Sequence, residues 1–397
     1  MKLKCAWLML CITLFSNPLL SQEIKSTAFG KGIFNFVGKD STWSMKFAAR
    51  MQILGSVNAE EGEKVETNML IRRARLKFDG FALSPKLVYK IEIGLSNRDV
   101  FRASEYNNNT PGYLMDAVIK WNFYKSFVLW FGQTKLPGNR ERVVSSGDLQ
   151  FVDRSILNAK FNIDRDMGIQ LRNSNVIGKN FVIREIFAFS QGEGRNVTVG
   201  NIGGFQYTGR IELLPFGNFS NKGDYFESDL SRENSPKLSL AATYDFNNNA
   251  VKTRSNLGSF MKNDEGHYET NITTTFVDAM FKYKGLSLMG EYAYRDADDP
   301  IAKNSDGTLT GDIVEVGNAI NLQSAYLFKS NFEVGGRFSN YEALTDITGK
   351  NSISQYTLGF SKYFVGHKLK VQTDFNYIDE HNASSVFLWR LQMDLHF

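Results

Sequence analysis

Arginines are placed in this chain where they could converge on an oxyanion. Arg72, Arg73 and Arg75 fall almost together, Arg50 precedes them, and Arg140, Arg142, Arg154 and Lys160 lie in the stretch 135–164. A planar guanidinium pairs bidentately with phosphate or carboxylate and sheds water more readily than an ammonium, so converging guanidiniums select oxyanions. For any single arginine a salt bridge that stiffens the structure is an equal alternative, and for Arg337 and Arg390, which have acids nearby, it is the better reading. Other chemistry is poorly supplied. His267, His367, His381 and His396 are scattered without metal-ligand spacing. Asp296, Asp298 and Asp299 lack the twelve-residue calcium loop that ends in Glu. Gly192, Gly194, Gly200, Gly203 and Gly204 have no phosphate-cradling spacing. No cofactor is expected. A barrel enzyme would need a Ser-His pair at the rim, and of the histidines only His396 falls in an expected strand.

The first 21 residues carry Lys2 and Lys4, an apolar run from Ala6 to Phe15, then Asn17, Pro18 and Ser21, the pattern of a secretory leader. Its apolar run is too short to cross a ~30 Å bilayer as a helix, and no later segment reaches the ~20 apolar residues a spanning helix needs. Cys5 and Cys11 are the two cysteines of the chain and both precede the expected cleavage, which leaves no disulfide or thiolate chemistry. The formal net charge of +4 falls to +2 without Lys2 and Lys4, because residues 1–21 hold no acid. So balanced a chain gives nucleic-acid binding no support.

What must position the arginines is a repeated strand. Trp43, Met45, Phe47, Ala49, Met51 and Ile53 share one face, opposite Ser44, Lys46, Arg50 and Gln52. The alternation returns at Leu87–Leu95, at Met115–Phe123 opposite Asp116, Lys120 and Asn122, and in later copies up to Phe387–Phe397. About sixteen such segments are expected, weakest near Arg165, Phe181 and Phe205. Alternating strands without intervening helices make an antiparallel sheet, and a sheet of that size closes on itself, removing its edges. With 32 Phe in the chain, the greasy stripes face lipid, so the expectation is an all-β, closed transmembrane barrel over residues 42–397 after a lead-in at 22–41. Tight turns at 122–126, 284–285, 328–331 and 365–367 alternate with long polar loops at 97–113, 135–164, 215–236, 247–272 and 296–312, with short turns expected on one side and long loops on the other. Charges facing hydrocarbon would cost ~2–4 kcal/mol at the midplane, which assigns Arg73, Arg75, Arg210, Arg295, Glu92, Asp116, Glu212, Asp278 and Glu291 to the lumen. The loop 135–164, folded inward, would narrow the pore.

These residues resemble a known family, the phosphate-selective porins O and P. The likeness is carried by Ile71-Arg72-Arg73-Ala74-Arg75-Leu76, by Asp116-Ala117, and most of all by Phe131-Gly132-Gln133-Thr134-Lys135-Leu136-Pro137. It continues through Glu141-Arg142, Ser145-Ser146, Leu149, Phe151–Ser155 and Arg165-Asp166-Met167-Gly168, with weaker echoes at 285–292 and 367–372. The resemblance implies a sixteen-stranded outer-membrane barrel, usually a homotrimer, with an inward loop and a constriction of arginines plus an aspartate. Carried over, Arg72, Arg73 and Asp116 are the constriction residues, and Arg50 joins them by strand position. Alternation points Arg72 toward lipid, so either the strand bulges there or only Arg73 and Arg75 reach the lumen. The implied function is passive diffusion of phosphate or other small anions, with a sugar or peptide porin as the alternative. The terminal Phe397 resembles the signal read by barrel-assembly machinery. No dense arginine or lysine ladder appears, so general anion preference is expected before strict phosphate selectivity.

Overall fold

The computed structural model describes residues 28–397, so the leader and the first residues of the lead-in lie outside the described part. Sixteen antiparallel strands form the wall: β1 (Ser44–Glu60), β2 (Glu66–Ala82), β3 (Ser84–Gly94), β4 (Leu114–Tyr124), β5 (Phe127–Lys135), β6 (Arg165–Ile177), β7 (Phe181–Ser190) and β8 (Gln206–Leu214). They continue with β9 (Lys237–Ala250), β10 (Thr270–Tyr283), β11 (Leu286–Ala297), β12 (Gly317–Leu327), β13 (Phe332–Ala343), β14 (Ile353–Tyr363), β15 (Leu369–Glu380) and β16 (Val386–His396). Each pairs with its sequence neighbour, and β16 returns to β1 from Arg50↔His396 to Glu60↔Val386, so the sheet closes without an open edge between its first and last strands. A short lead-in strand, Phe34–Val37, pairs with Ser44–Phe47 beyond the end of β16. Among the described residues no helix is long and apolar enough to cross a membrane.

The two faces separate as alternation requires. Trp121, Phe131, Phe187, Tyr244, Val277, Tyr356, Phe387 and Leu391 stand exposed on the outside. Arg210, Glu212, Asp278, Glu291, Arg295, Lys370, Asp374 and Asp394 are buried within. Two bulges break the pattern where it matters. On β2, Arg73 opposes Gln52 and Ile71 opposes Ile53, so Arg72 is the extra residue and turns inward. On β4, Asp116 opposes Glu92 and Leu114 opposes Ile93, so Met115 is the extra residue; it is buried inside, whereas alternation assigned it to the lipid face. The tight turn Lys284-Gly285 has positive φ at both residues (48° and 94°), the geometry whose twist suits a two-residue hairpin.

One connection departs from the expected two-sided division. The segment 215–236 joins β8 to β9 on the short-turn side, yet it is long and folds into the barrel. There it meets the loop 136–164, which enters from the long-loop side and carries helices α1 (Arg140–Val143) and α2 (Ile156–Phe161). The Asp148 carbonyl accepts the Glu227 N–H at 3.1 Å, and the Gln150 N–H donates to Glu227 Oε2 at 2.7 Å. Lys282 Nζ donates to the carbonyls of Gly223, Phe226 and Ser228 at 2.7–2.9 Å.

The inner wall against which 136–164 rests is not wholly wet. Leu157, Phe161 and Ile163 from the loop bury fully against Phe276, Ala293, Ala319 and Tyr341 of β10–β13. Phe151 lies over Gly335 and Gly359, where a Cβ would come within 3.3 and 2.6 Å of its ring. Around this apolar core runs an ion network. Arg140 reaches Asp278 (3.0 Å) and Glu212 (3.3 Å), while Arg210 reaches the same two carboxylates at 2.7 and 2.9 Å. The lumen beside β7–β13 is therefore filled with loop and ion pairs, and open space remains beside β1–β6 and β16 and at the long-loop ends of β14 and β15.

Candidate functional site

Two cavities occupy that open side. One, of about 600 Å³, faces the long loops and is lined by ten Arg or Lys side chains against three carboxylates. The other, of about 260 Å³, faces the short turns and holds Lys46, Arg50, Arg75, Lys77, Lys90 and Lys368 against Glu92 and Asp148. Arg75 lines both, so the cavities meet at its side chain. At this junction the Ser146 hydroxyl of the inward loop accepts from Arg50 Nη1 and from Arg73 Nε, each at 3.0 Å. Gln52 Nε2 holds the Ser146 carbonyl at 3.3 Å and Asp394 Oδ2 at 2.6 Å.

The positive charge of the larger cavity is only partly cancelled. Its three carboxylates are all occupied: Asp99 by Arg75 (2.7 Å), Asp164 by Arg142 (2.8 Å) and Asp153 by Arg72 and by Arg390 (2.9 Å). Arg73, Arg154, Arg195 and Arg254 donate to hydroxyl or carbonyl oxygens instead, and have no carboxylate within ion-pair distance among the described residues. Nη1 of Arg73 and of Arg195 is buried without a hydrogen-bond partner. Burial, set partly against Glu141 and Glu227, brings Arg154 down to about 10. Burial and the neighbouring Arg165 do the same to Arg195. Both stay cationic at neutral pH. Asp153, although burial pushes its carboxyl up, is held well below the usual range by Arg72 and Arg390.

The residues singled out in the sequence divide into two groups. Arg73, Arg75, Arg142 and Arg154 line the larger cavity and Arg50 the smaller, while Arg75 and Arg142 are ion-paired there. Arg72, Asp116 and Arg140 line neither. The bulge carries Arg72 to Asp153 on the inward loop, Asp116 is fully buried between Lys90 (2.7 Å) and Arg165 (3.0 Å), and Arg140 is locked to Asp278 on the filled side. These three stand in ion pairs that hold the loop and the wall. The reading of Arg337 and Arg390 as salt-bridged holds, with Glu141 at 3.4 Å and Asp374 at 2.7 Å. Sequence reasoning missed Arg98, Arg195 and Arg254, which arrive from three connections outside the barrel strands without periodicity to place them. It also missed Ser146, although the Ser145-Ser146 pair stood in the motif that carried the resemblance.

A family model for phosphate-selective porin O and P matches residues 46–386. The chain belongs to this family. As a porin O/P member it is an outer-membrane porin, and its barrel is similar to solved porins at low identity. An anion-selective porin from Comamonas acidovorans superposes with a TM-score of 0.57 at 10% identity, over 89% of this chain and 100% of that one. The outer-membrane channel DcaP of Acinetobacter baumannii gives 0.53 at 12% identity, over 91% and 99%. OmpF of Salmonella typhi, in a complex with daunomycin, gives the same values. At such identities these structures establish the fold alone. No curated protein matches the sequence.

Proposed function

We propose that the chain is a passive porin for phosphate and other small anions, exported by the leader at 1–21 and assembled through Phe397 as a homotrimer in the outer membrane. The observation that carries the anion reading is the set of guanidiniums without carboxylate partners, Arg73, Arg154, Arg195 and Arg254, around one cavity that meets a lysine-rich one at Arg75. A fixed excess of one charge sign in a narrow, low-dielectric passage concentrates the opposite ion and repels its own. An anion that leaves bulk water at Arg195 and Arg254 passes cations without carboxylate partners down to Arg73, then Arg50, which is paired with Asp394, and enters the lysine side. Strict phosphate selectivity is not needed for this. The test is phosphate block of the chloride current through reconstituted channels. Arg73→Ala with Arg75→Ala is expected to abolish the block; block unchanged by the double substitution favours a sugar or peptide porin whose arginines are structural.

A further inference from the structure

The larger cavity contains more than charge. Leu388 on β16 and Ile378 on β15 occupy lumen-facing positions where alternation elsewhere supplies Asp374, Asn376, Arg390 and Gln392. Asn376 pairs with Leu388 and Ile378 with Val386, so Ile378 and Leu388 are diagonal neighbours on one inner face. Ile156, at the start of α2, and Leu257, in the loop between β9 and β10, come to the same cavity from separate segments. Met115 is turned into it by the bulge on β4. All but Met115 are partly exposed to the open space. A passage for bare inorganic anions gains nothing from aliphatic groups facing its water, since each keeps apolar surface wet.

We propose that this cavity takes organic anions with an apolar body, such as alkyl or aryl carboxylates and phosphate monoesters. The charged head sits among the partly exposed guanidiniums without carboxylate partners, Arg154, Arg195 and Arg254, and the body lies along Ile378, Leu388, Ile156 and Leu257. This rests on the anion-porin reading and names its substrate class. A site of a few convergent polar groups beside an apolar wall orients a ligand as well as holding it. The geometry supplies both parts in one volume of about 600 Å³, large enough for a small organic acid.

The experiment compares acetate with hexanoate as blockers of chloride current through the reconstituted mature chain. The head group and charge are the same and only the apolar body differs. Partial burial of the longer chain lowers the half-blocking concentration by about tenfold. In Leu388→Asn with Ile378→Thr that difference collapses toward unity while acetate block stays as it was. Leu257→Ser, in a loop outside the barrel wall, reduces the difference on its own and covers the case in which the wall variant fails to assemble. Equal block by acetate and hexanoate in the unaltered channel overturns the proposal, as does a tenfold difference that survives in every variant that assembles. A channel that prefers cations overturns the anion reading instead, and the zero-current potential recorded on the same membranes separates the two failures.

Discussion

Replacing Asp278 with Asn should loosen the inward loop without opening the barrel. Asp278 and Glu212 together neutralise Arg140 from the loop and Arg210 from the wall, at 2.7–3.3 Å, and all four side chains are almost wholly buried. With Asp278 uncharged, Arg140 and Arg210 are left to share Glu212, which already pairs with Arg184 at 3.2 Å. Removing one partner from a buried pair costs ~3–5 kcal/mol, because the remaining charge is uncompensated. The wall cannot release Arg210, which is held in β8, whereas α1 can lift Arg140 away from it. Each 1.4 kcal/mol is about tenfold in a population, so the lifted state gains on the order of a hundredfold or more. Single-channel conductance should rise or flicker, and protease should nick the loop within 136–164. Combining Asp278→Leu with Arg140→Met leaves Arg210 paired with Glu212 and should restore quiet, protease-resistant channels. Buried ion pairs exchanged for apolar side chains are often neutral or stabilising. A double variant no better than the Asp278→Leu single, with coupling below ~0.5 kcal/mol by urea midpoints in the cycle with Arg140→Met, would refute the argument.

Further outcomes follow from the same contacts. Gly359→Ala places a methyl group 2.6 Å from the Phe151 ring and should raise conductance noise, whereas Gly336→Ala, with its nearest neighbour at 4.0 Å, should be silent. Arg72→Met breaks the link to Asp153 and should destabilise the loop while shifting anion preference less than Arg73→Met, as zero-current potentials will show. The Glu227 carboxyl is raised to about 7 by burial and by the neighbouring Glu141. The folded protein thus holds a proton there that the unfolded chain releases near 4.5, so stability of the docked 215–236 segment falls as pH rises between roughly 4.5 and 7. Gating noise should be greater at pH 8 than at pH 5, and Glu227→Gln should remove the difference.

Alternation made the barrel legible because a lipid-facing charge is so costly that nearly every strand obeys the period of two. It located Asp278, Glu291 and Arg295 on the inner face without any knowledge of their partners. It failed at Met115, where a bulge shifts the period, and resolved Arg72 only as a choice between two readings, since an inserted residue leaves no compositional trace. Loop length showed that 135–164 could enter the barrel, but not that 215–236 enters from the opposite end, because length does not encode direction. The filling of the lumen was hidden for a related reason. Phe276 and Tyr341 face inward as apolar residues in a stripe read as wet, and their partners Leu157 and Phe161 lie more than a hundred residues away in a loop. Which arginines keep a free charge depends on long-range pairings such as Arg390 with Asp153, and spacing carries none of that information.

The zero-current potential across a potassium chloride gradient tests the central claim most directly. Partnerless guanidiniums on the open side of a half-filled barrel require chloride to carry most of the current, and Arg73→Glu with Arg154→Glu to shift the potential toward the potassium side. Potassium-dominated current in the unaltered channel, or a potential indifferent to those two reversals, would contradict the account.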